Sequence, residues 1–259
     1  MRIIAIMLAM LLLVTGISGC AYTKNDRDIL YQTLTISSLQ EGVFDGTTTV
    51  GDLKKYGDIG VGTFEGLDGE MIILDGVIYQ VKGDGKIYLP SDDTRVPFAA
   101  ITYFETDKKF HIDKDVNVTQ LQQLLDKELP TSNVFYAIRI DGTFSHVKTR
   151  SVDKQSKPYP TLAKALENQK IFEFNNVKGT IVGLRCPSYI GGINVAGYHF
   201  HFITDDRKGG GHVLECQLQD ADVKFDETAA FIMILSETGG FSKADLSGDK
   251  QAELNKIEK

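Results

Sequence analysis

Short apolar segments separated by tight-turn signals fill most of this chain, and this alternation constrains its fold more than any other feature. Between residues 57 and 104 the segments are rich in Val, Ile, Tyr and Phe, and they span 60–64, 71–74, 77–81, 87–89 and 99–104. Asp75-Gly76 and Gly83-Asp84-Gly85 stand between them. Turn residues of this kind typically close antiparallel hairpins. The pattern predicts a β-meander in the first half of the chain.

The second half continues in strands with a few helices between them. Strands are predicted at 134–140, 143–148, 172–184, 195–203, 213–218 and 229–235. Helical spacing of leucines, ended by Pro130, predicts a helix over 118–129, and further helices are expected at 162–168 and in the tail at 249–259. Residues 29–39 fit a helix and a strand equally well. Together these segments predict an α+β fold that is mainly antiparallel or mixed sheet.

The first residues have the pattern of a bacterial lipoprotein signal. Arg2 precedes an apolar run over 3–14, and small residues then lead to Cys20, the group that lipid transfer requires. A transmembrane anchor is the alternative, but spanning a bilayer takes about 20 apolar residues. We therefore expect an exported protein that is anchored to the membrane by a lipid on Cys20. The expected organisation is a signal peptide at 1–19, a lipidated tether at 20–28, and a single domain at 29–259 without a clear linker.

Charge and cysteine content exclude some functions. The formal net charge is −7, and removal of Arg2 with the signal would make the chain more acidic. Such a chain is a poor candidate for binding nucleic acid, which favours clustered Lys and Arg. Export would permit a disulfide between Cys186 and Cys216, but free cysteines are among the most buried residues, so two buried thiols are the favoured interpretation.

Three histidines form the sharpest local signal. In the segment Tyr-His-Phe-His-Phe at 198–202, alternation along a strand places His199 and His201 on one face and the aromatic rings on the other. If the following Gly-rich turn closes a hairpin with a flexible tip, His212 begins the return strand beside His201. Three imidazoles would then converge as in a catalytic zinc site. A polar strand face with hydrogen-bonded imidazoles is the alternative, and it is the favoured interpretation for the isolated His111 and His146.

The chain also resembles the bacterial acetolactate decarboxylases. The matching stretches lie at 62–71, 96–98, 135–142, 147–150 and 183–212, and the last of them contains all three clustered histidines. The resemblance extends over nearly the whole chain from about residue 28. It implies a two-lobed protein, usually a homodimer, that holds Zn²⁺ on the positions of His199, His201 and His212.

The resemblance further implies the other residues of the site. Glu70 and Arg150 would face the metal, and a glutamate from the tail would complete the site. Distance along the chain favours Glu258 over Glu253. Thr63 lies in one of the matching stretches and would contact the substrate.

The implied reaction converts 2-acetolactate, a small 2-hydroxy-3-oxo acid, to acetoin and carbon dioxide. Zinc would act as a Lewis acid that stabilises the enediolate. Arg150 would hold the carboxylate before it leaves, and Glu70 and Glu258 would serve in proton transfer or metal binding. Two alternatives remain: a non-enzymatic surface lipoprotein that captures zinc, and a cupin-like metalloenzyme built on the same His-x-His strand.

Overall fold

A computed structural model describes residues 27–237, 239–248 and 250–258. The predicted signal peptide at 1–19 and the lipidation site Cys20 lie outside the described residues. The strands are β1 (Ile29–Thr33), β2 (Thr48–Thr49), β3 (Ile59–Thr63), β4 (Glu70–Leu74), β5 (Val77–Val81), β6 (Ile87–Tyr88), β7 (Arg95–Val96), β8 (Phe98–Thr102), β9 (Lys108–Ile112), β10 (Val116–Asn117), β11 (Phe135–Ser151), β12 (Lys170–Cys186), β13 (Gly197–Thr204), β14 (Gly210–Thr228) and β15 (Ala230–Ile234). The helices are α1 (Ile36–Gln40), α2 (Val50–Leu53), α3 (Val118–Glu128), α4 (Leu162–Leu166) and α5 (Gln251–Glu258).

The first sheet has seven strands in the order β15-β1-β8-β3-β4-β5-β6. Its β3-β4-β5-β6 part is the predicted meander. Asp75 and Gly76 both have positive φ, of 52° and 76°, as a tight hairpin turn requires. Among the described strands of this sheet, the only parallel pairing is that of β1 with the edge strand β15. This sheet therefore combines a meander of consecutive strands with β15, the last strand among the described residues.

The second sheet closes on itself. Its path β14-β11-β12-β13 returns to β14, because the start of β14 also pairs with the end of β13. The largest buried cluster contains aromatic and aliphatic side chains of these four strands, together with Leu121 and Leu125 of α3. Another cluster joins this sheet to the first one through Leu184 of β12 and Val61 of β3, among others. The α+β class is confirmed by this arrangement.

The structure differs from the sequence-based expectations at several places. Residues 29–39 hold both a strand, β1, and a helix, α1. The two strands predicted at 134–140 and 143–148 are one strand, β11, because Gly142 does not turn the chain. A Cβ at Gly142 would lie 2.4 Å from the Cβ of Ala221, so this glycine permits close approach of β14. The strand predicted at 213–218 is also longer than expected. It spans Gly210–Thr228, because it pairs with β11 along nearly its whole length.

A third buried cluster lies around the short helices. It contains Leu39 of α1, Leu162 and Leu166 of α4, and Leu254 of α5. This cluster anchors the C-terminal helix against the rest of the domain. Among the described helices, none has the length and apolar character needed to cross a membrane.

Cys186 and Cys216 are both buried free thiols, as the sequence favoured. Burial raises the pKa of each thiol to about 12, so both remain protonated at neutral pH.

Candidate active site and metal centre

The three clustered histidines come together through strand register. His199 and His201 lie on one face of β13, while Tyr198, Phe200 and Phe202 belong to the buried cluster of the second sheet. His212 near the start of β14 is the direct cross-strand neighbour of His201. All three histidines are at most 7 % exposed. The sequence prediction of three convergent imidazoles therefore agrees with the geometry.

The distances between the imidazole nitrogens suit one metal ion. His199 Nε2 lies 3.2 Å from His201 Nε2 and 3.2 Å from His212 Nδ1. Zinc–nitrogen bonds of about 2.0–2.1 Å in a tetrahedron would separate the nitrogens by about 3.3 Å. The three nitrogens form the only group of three or more His, Cys, Asp and Glu ligand atoms that converge on one point within the described residues. The residues present fit a tetrahedral divalent ion.

The protonation states of the histidines also suit metal binding. Burial lowers the pKa of His199 to about 3 and the pKa values of His201 and His212 well below their usual value, with Arg150 contributing to each shift. The imidazoles are therefore neutral, so they form no salt bridges with the carboxylates of Glu70 and Glu258 nearby. His201 Nδ1 donates to the backbone carbonyl of Met71 at 2.7 Å, which leaves its Nε2 lone pair free for a ligand.

Two carboxylates reach the same point from distant parts of the chain. Glu70 begins β4, and its Oε2 lies 3.6 Å from His201 Nε2. Glu258 ends α5, and its Oε2 lies 3.5 Å from His199 Nε2. Burial raises the pKa of Glu70 to about 7 and also raises that of Glu258, while Arg150 opposes both shifts. The alternative tail residue, Glu253, is exposed on the surface of α5.

Arg150 supplies a buried positive charge beside these groups. It is the cross-strand neighbour of His212 on β11, and its side chain is 4 % exposed. Its Nη2 donates to Glu258 Oε1 at 3.0 Å, whereas its buried Nε has no hydrogen-bond partner among the described residues. A buried donor without a partner costs stability, so this Nε is a natural contact for a ligand carboxylate.

A narrow cavity of about 30 Å³ adjoins the site. Its polar lining comprises Thr63, Glu70, Arg150, His199, His212 and Glu258. Thr63 donates its hydroxyl proton to the carbonyl of Gly69 at 2.7 Å and faces a ligand only as an acceptor. The rest of the lining is mostly apolar and comes largely from α1 and α4. Sequence reasoning missed these apolar residues because helical spacing alone does not distinguish a core face from a cavity wall.

The glycine-rich segment at 209–211 is not a flexible hairpin tip, so that part of the sequence interpretation is wrong. Residues 205–208 form the turn, whereas Gly210 and Gly211 already pair with β13. Gly211 has φ of 134°, and a Cβ there would lie 2.4 Å from the carbonyl oxygen of Arg150. The glycine lets β14 pass close to β11, which brings His212 beside Arg150.

The two remaining histidines lie elsewhere, as expected. His111 is half-exposed and contacts Asp222 on the neighbouring strand β14 at 2.9 Å. His146 lies on β11 with its Nε2 3.6 Å from Glu173 of β12.

Comparison with known proteins places the chain among its relatives. Residues 30–248 match the family model described as alpha-acetolactate decarboxylase. The chain belongs to the alpha-acetolactate decarboxylase family. The family member of Methanosarcina mazei is 49 % identical over 237 residues, which cover 92 % of this chain and 82 % of that protein. The member of Bacillus subtilis is 42 % identical over 217 residues, with 84 % and 85 % covered.

Solved structures of decarboxylase relatives have the same fold. The crystal structure of alpha-acetolactate decarboxylase from Bacillus subtilis strain 168 matches with a TM-score of 0.87 and 40 % identity, over 89 % of this chain and 99 % of that one. A Staphylococcus aureus protein described as similar to alpha-acetolactate decarboxylase matches with a TM-score of 0.85 and 31 % identity, over 89 % and 100 % of the two chains. The expected family and the assignment to the carboxy-lyase enzymes are thereby confirmed.

Proposed function

We propose that this protein decarboxylates 2-acetolactate to acetoin and carbon dioxide with a zinc ion held by His199, His201 and His212. The observation that carries the proposal is the convergence of three neutral imidazole nitrogens beside a buried arginine and two buried carboxylates. A bound zinc would act as a Lewis acid toward the ketone and hydroxyl oxygens of the substrate. Family membership favours this reaction over zinc capture and over cupin-like oxygen chemistry.

Arg150 binds the substrate carboxylate in this proposal. Its Nε lacks a partner among the described residues, and its Nη2 is already oriented by Glu258. The guanidinium can therefore hold the carboxylate in a fixed direction before the carbon–carbon bond breaks. Thr63, which also lines the cavity, would add a weak acceptor contact.

Glu70 and Glu258 have different surroundings, which support different roles. The pKa of Glu70 is about 7, so at neutral pH its carboxyl group carries a proton for much of the time. We assign the protonation of the product carbon to this group at Oε2. Glu258 accepts a hydrogen bond from Arg150 at Oε1 and directs Oε2 toward His199. Its role is to orient Arg150 and to supply a further oxygen ligand.

The first test is acetoin formation by the chain purified from residue 21 onward. We expect activity that disappears when a chelator removes the metal and returns when zinc is added. A folded, zinc-loaded protein that produces acetoin no faster than the uncatalysed reaction would exclude the decarboxylase function. Activity restored equally by metals other than zinc would exclude only the zinc requirement.

Metal content tests the ligands separately from activity. His201→Ala removes one imidazole, and three ligands hold zinc far more tightly than two. We expect the variant to purify with much less zinc than the wild type. The matched control is His111→Ala, because His111 lies on a half-exposed surface strand and contacts Asp222. Equal zinc content in all three proteins would contradict the assignment of His201.

We also propose export, lipidation at Cys20 and a homodimer. Export and lipidation are supported by the sequence of residues 1–20 alone. Labelling cells with a fatty acid should mark the wild-type protein and leave Cys20→Ser unlabelled. Label on both proteins would contradict lipidation at this cysteine.

The homodimer is supported by the edge strand β15, which is apolar and pairs only with β1 among the described residues.

A further inference from the structure

The apolar part of the cavity lining includes one face of the short helix α4. Leu162 and Leu166 are four residues apart, which places them on the same face of the helix, and both line the cavity beside the histidines. They are 3 % and 7 % exposed. Helix α4 supplies no polar group to the cavity, so its contribution to ligand binding is one of shape.

The polar groups determine how an acid with alkyl substituents can lie. Arg150 and the histidines offer contacts to its charged and oxygen-bearing end. The alkyl substituents must then contact the apolar lining, since placing them against Arg150 or Glu258 would remove hydrogen bonds that buried polar groups need. Because the cavity is narrow, an added methylene meets the wall rather than empty space.

We infer that Leu162 and Leu166 of α4 limit the length of the alkyl substituent that a substrate of this site can carry. The inference rests on the proposed decarboxylase function and extends it to specificity. Ile36 and Leu39 of α1 and Leu67 belong to the same apolar lining. Val152 follows the strand that carries Arg150, and Phe98 is the cross-strand neighbour of Thr63, so both also support polar groups of the site. Leu162 and Leu166 also pack in the cluster that anchors α5, so the test compares two substrates, because a shift of Glu258 would lower activity on both of them alike.

The test compares two substrates in three variants. The substrates are 2-acetolactate and its homologue with an ethyl group in place of the methyl group on carbon 2. Leu162→Ala and Leu166→Ala enlarge the cavity, whereas Leu166→Phe narrows it. The matched control is Leu125→Ala, which makes the same change at a fully buried leucine in the cluster of the second sheet. All proteins are assayed with zinc at the same concentration.

We expect the ratio of kcat/KM for the ethyl over the methyl substrate to rise about tenfold in at least one alanine variant, because one methylene in an apolar pocket is worth about 10- to 200-fold. The ratio should fall in Leu166→Phe and stay within twofold of wild type in Leu125→Ala. If Leu166→Ala does not fold, Leu166→Val tests the same position with a smaller truncation. An unchanged ratio in every folded α4 variant would overturn the inference while leaving the decarboxylase function intact.

A binding measurement separates this inference from the reaction itself. Calorimetric titration with 2-hydroxyisobutyrate and with 2-ethyl-2-hydroxybutyrate uses hydroxy acids that lack the ketone and do not react. The relative affinity for the ethyl acid should rise in the alanine variants of α4 and stay constant in Leu125→Ala. If the wild type forms no acetoin, the proposed function fails. The binding ratio then still tests whether Leu162 and Leu166 limit the length of the alkyl substituent. Equal binding ratios in wild type and α4 variants would overturn the inference by a second route.

Discussion

At the scale of single residues, the site is defined by charges that the fold holds away from water. Burial keeps three imidazoles neutral, and it also raises the pKa of Glu70 to about 7. Arg150 is paired with Glu258 yet retains a buried Nε without a partner among the described residues. Burying such groups costs free energy, and a bound ligand or ion would offset part of that cost. These buried groups are therefore suited to binding a ligand rather than to stabilising the fold.

Arg150→Lys tests this arrangement while keeping the positive charge. Lysine cannot reproduce the fixed directions of the guanidinium donors, and a hydrogen bond to a charged group is worth about 1.5–3 kcal/mol. We expect kcat/KM for acetoin formation to fall about 10- to 100-fold with zinc content unchanged. Arg139→Lys is the control, because Arg139 is paired with Asp75 and Asp141. Similar losses in both variants would indicate a general structural effect and contradict the role of Arg150.

Asp226 of β14 gives the fold its own pH dependence outside the site. It is 2 % exposed, and burial together with Asp107, Asp28 and Glu105 raises its pKa from 3.8 to about 8, although a backbone hydrogen bond from Glu105 acts in the opposite direction. A carboxyl group with a raised pKa binds its proton more tightly in the folded state. The contribution of protonated Asp226 to the free energy of unfolding is therefore fully present below about pH 3.8 and is lost progressively as the pH rises to about 8.

Asp226→Asn removes this titration. The variant should unfold at nearly the wild-type temperature at pH 4 and at a higher temperature than the wild type at pH 8. Thermal unfolding followed by circular dichroism across this range measures the difference. Asp205→Asn is the control because Asp205 lies on an exposed turn. A difference between Asp226→Asn and wild type that does not grow with pH would contradict a buried, protonated Asp226.

At the scale of elements, β14 and α5 bring the distant parts of the site together. Strand β14 pairs with β11 along most of its length and with β13 at its start, so it places His212 between Arg150 and His201. Helix α5 ends in Glu258 and is fixed by Leu254, which is 1 % exposed in the cluster around the short helices. Lys250 before this helix also forms an ion pair with Glu41 after α1. The last described residue of the chain thus reaches the site through apolar packing and through contacts of Lys250 with Gln40 and Glu41.

Gly211→Ala tests the close approach of β14 to β11. A Cβ would lie 2.4 Å from the carbonyl oxygen of Arg150, and φ of 134° is strained for alanine. Backbone strain of this kind costs about 1–3 kcal/mol. We expect a lower free energy of unfolding and a loss of activity because both Arg150 and His212 must shift. The control is Gly248→Ala, whose Cβ would meet no atom closer than 4.0 Å. Wild-type activity in Gly211→Ala would contradict this requirement.

At the scale of the whole molecule, the site lies where the two sheets meet. Its histidines come from the closed second sheet, Glu70 from the first sheet, and Glu258 from the C-terminal helix. The first sheet ends at β15, whose residues Ile232 and Ile234 are 43 % and 40 % exposed. Residues 230–235 carry no charge, whereas solitary edge strands usually carry charges or proline that prevent pairing. This edge is suited to antiparallel pairing with a second copy.

Ile232→Lys tests the proposed dimer. A lysine at the centre of the edge would place two like charges near the two-fold axis and disfavour pairing. Sedimentation velocity should show a dimer for the wild type and a monomer for the variant. Leu89→Lys is the control, since Leu89 is 70 % exposed next to β6 at the opposite edge of the same sheet. A dimer that survives Ile232→Lys but not Leu89→Lys would assign the interface to the other edge.

The amino-acid sequence by itself determined the local features of this protein. Turn residues and alternating apolar positions predicted the meander and most strands, because they depend only on the backbone of neighbouring residues. The alternation at 198–202 likewise predicted that His199 and His201 share a face. The predicted break between two strands near Gly142 and the predicted hairpin tip at residues 209–211 were wrong, because glycine permits close packing of strands as readily as it permits turns.

Only the tertiary structure decided which distant groups meet. The register of β14 against β11 and β13 placed Arg150 beside His212, and the packing of Leu254 brought Glu258 rather than Glu253 to the histidines. The same packing placed Leu162 and Leu166 on the cavity wall. The shifted pKa values also follow from burial between the sheets. Such contacts depend on closing long segments of chain around a shared core, and no local sequence pattern specifies that closure.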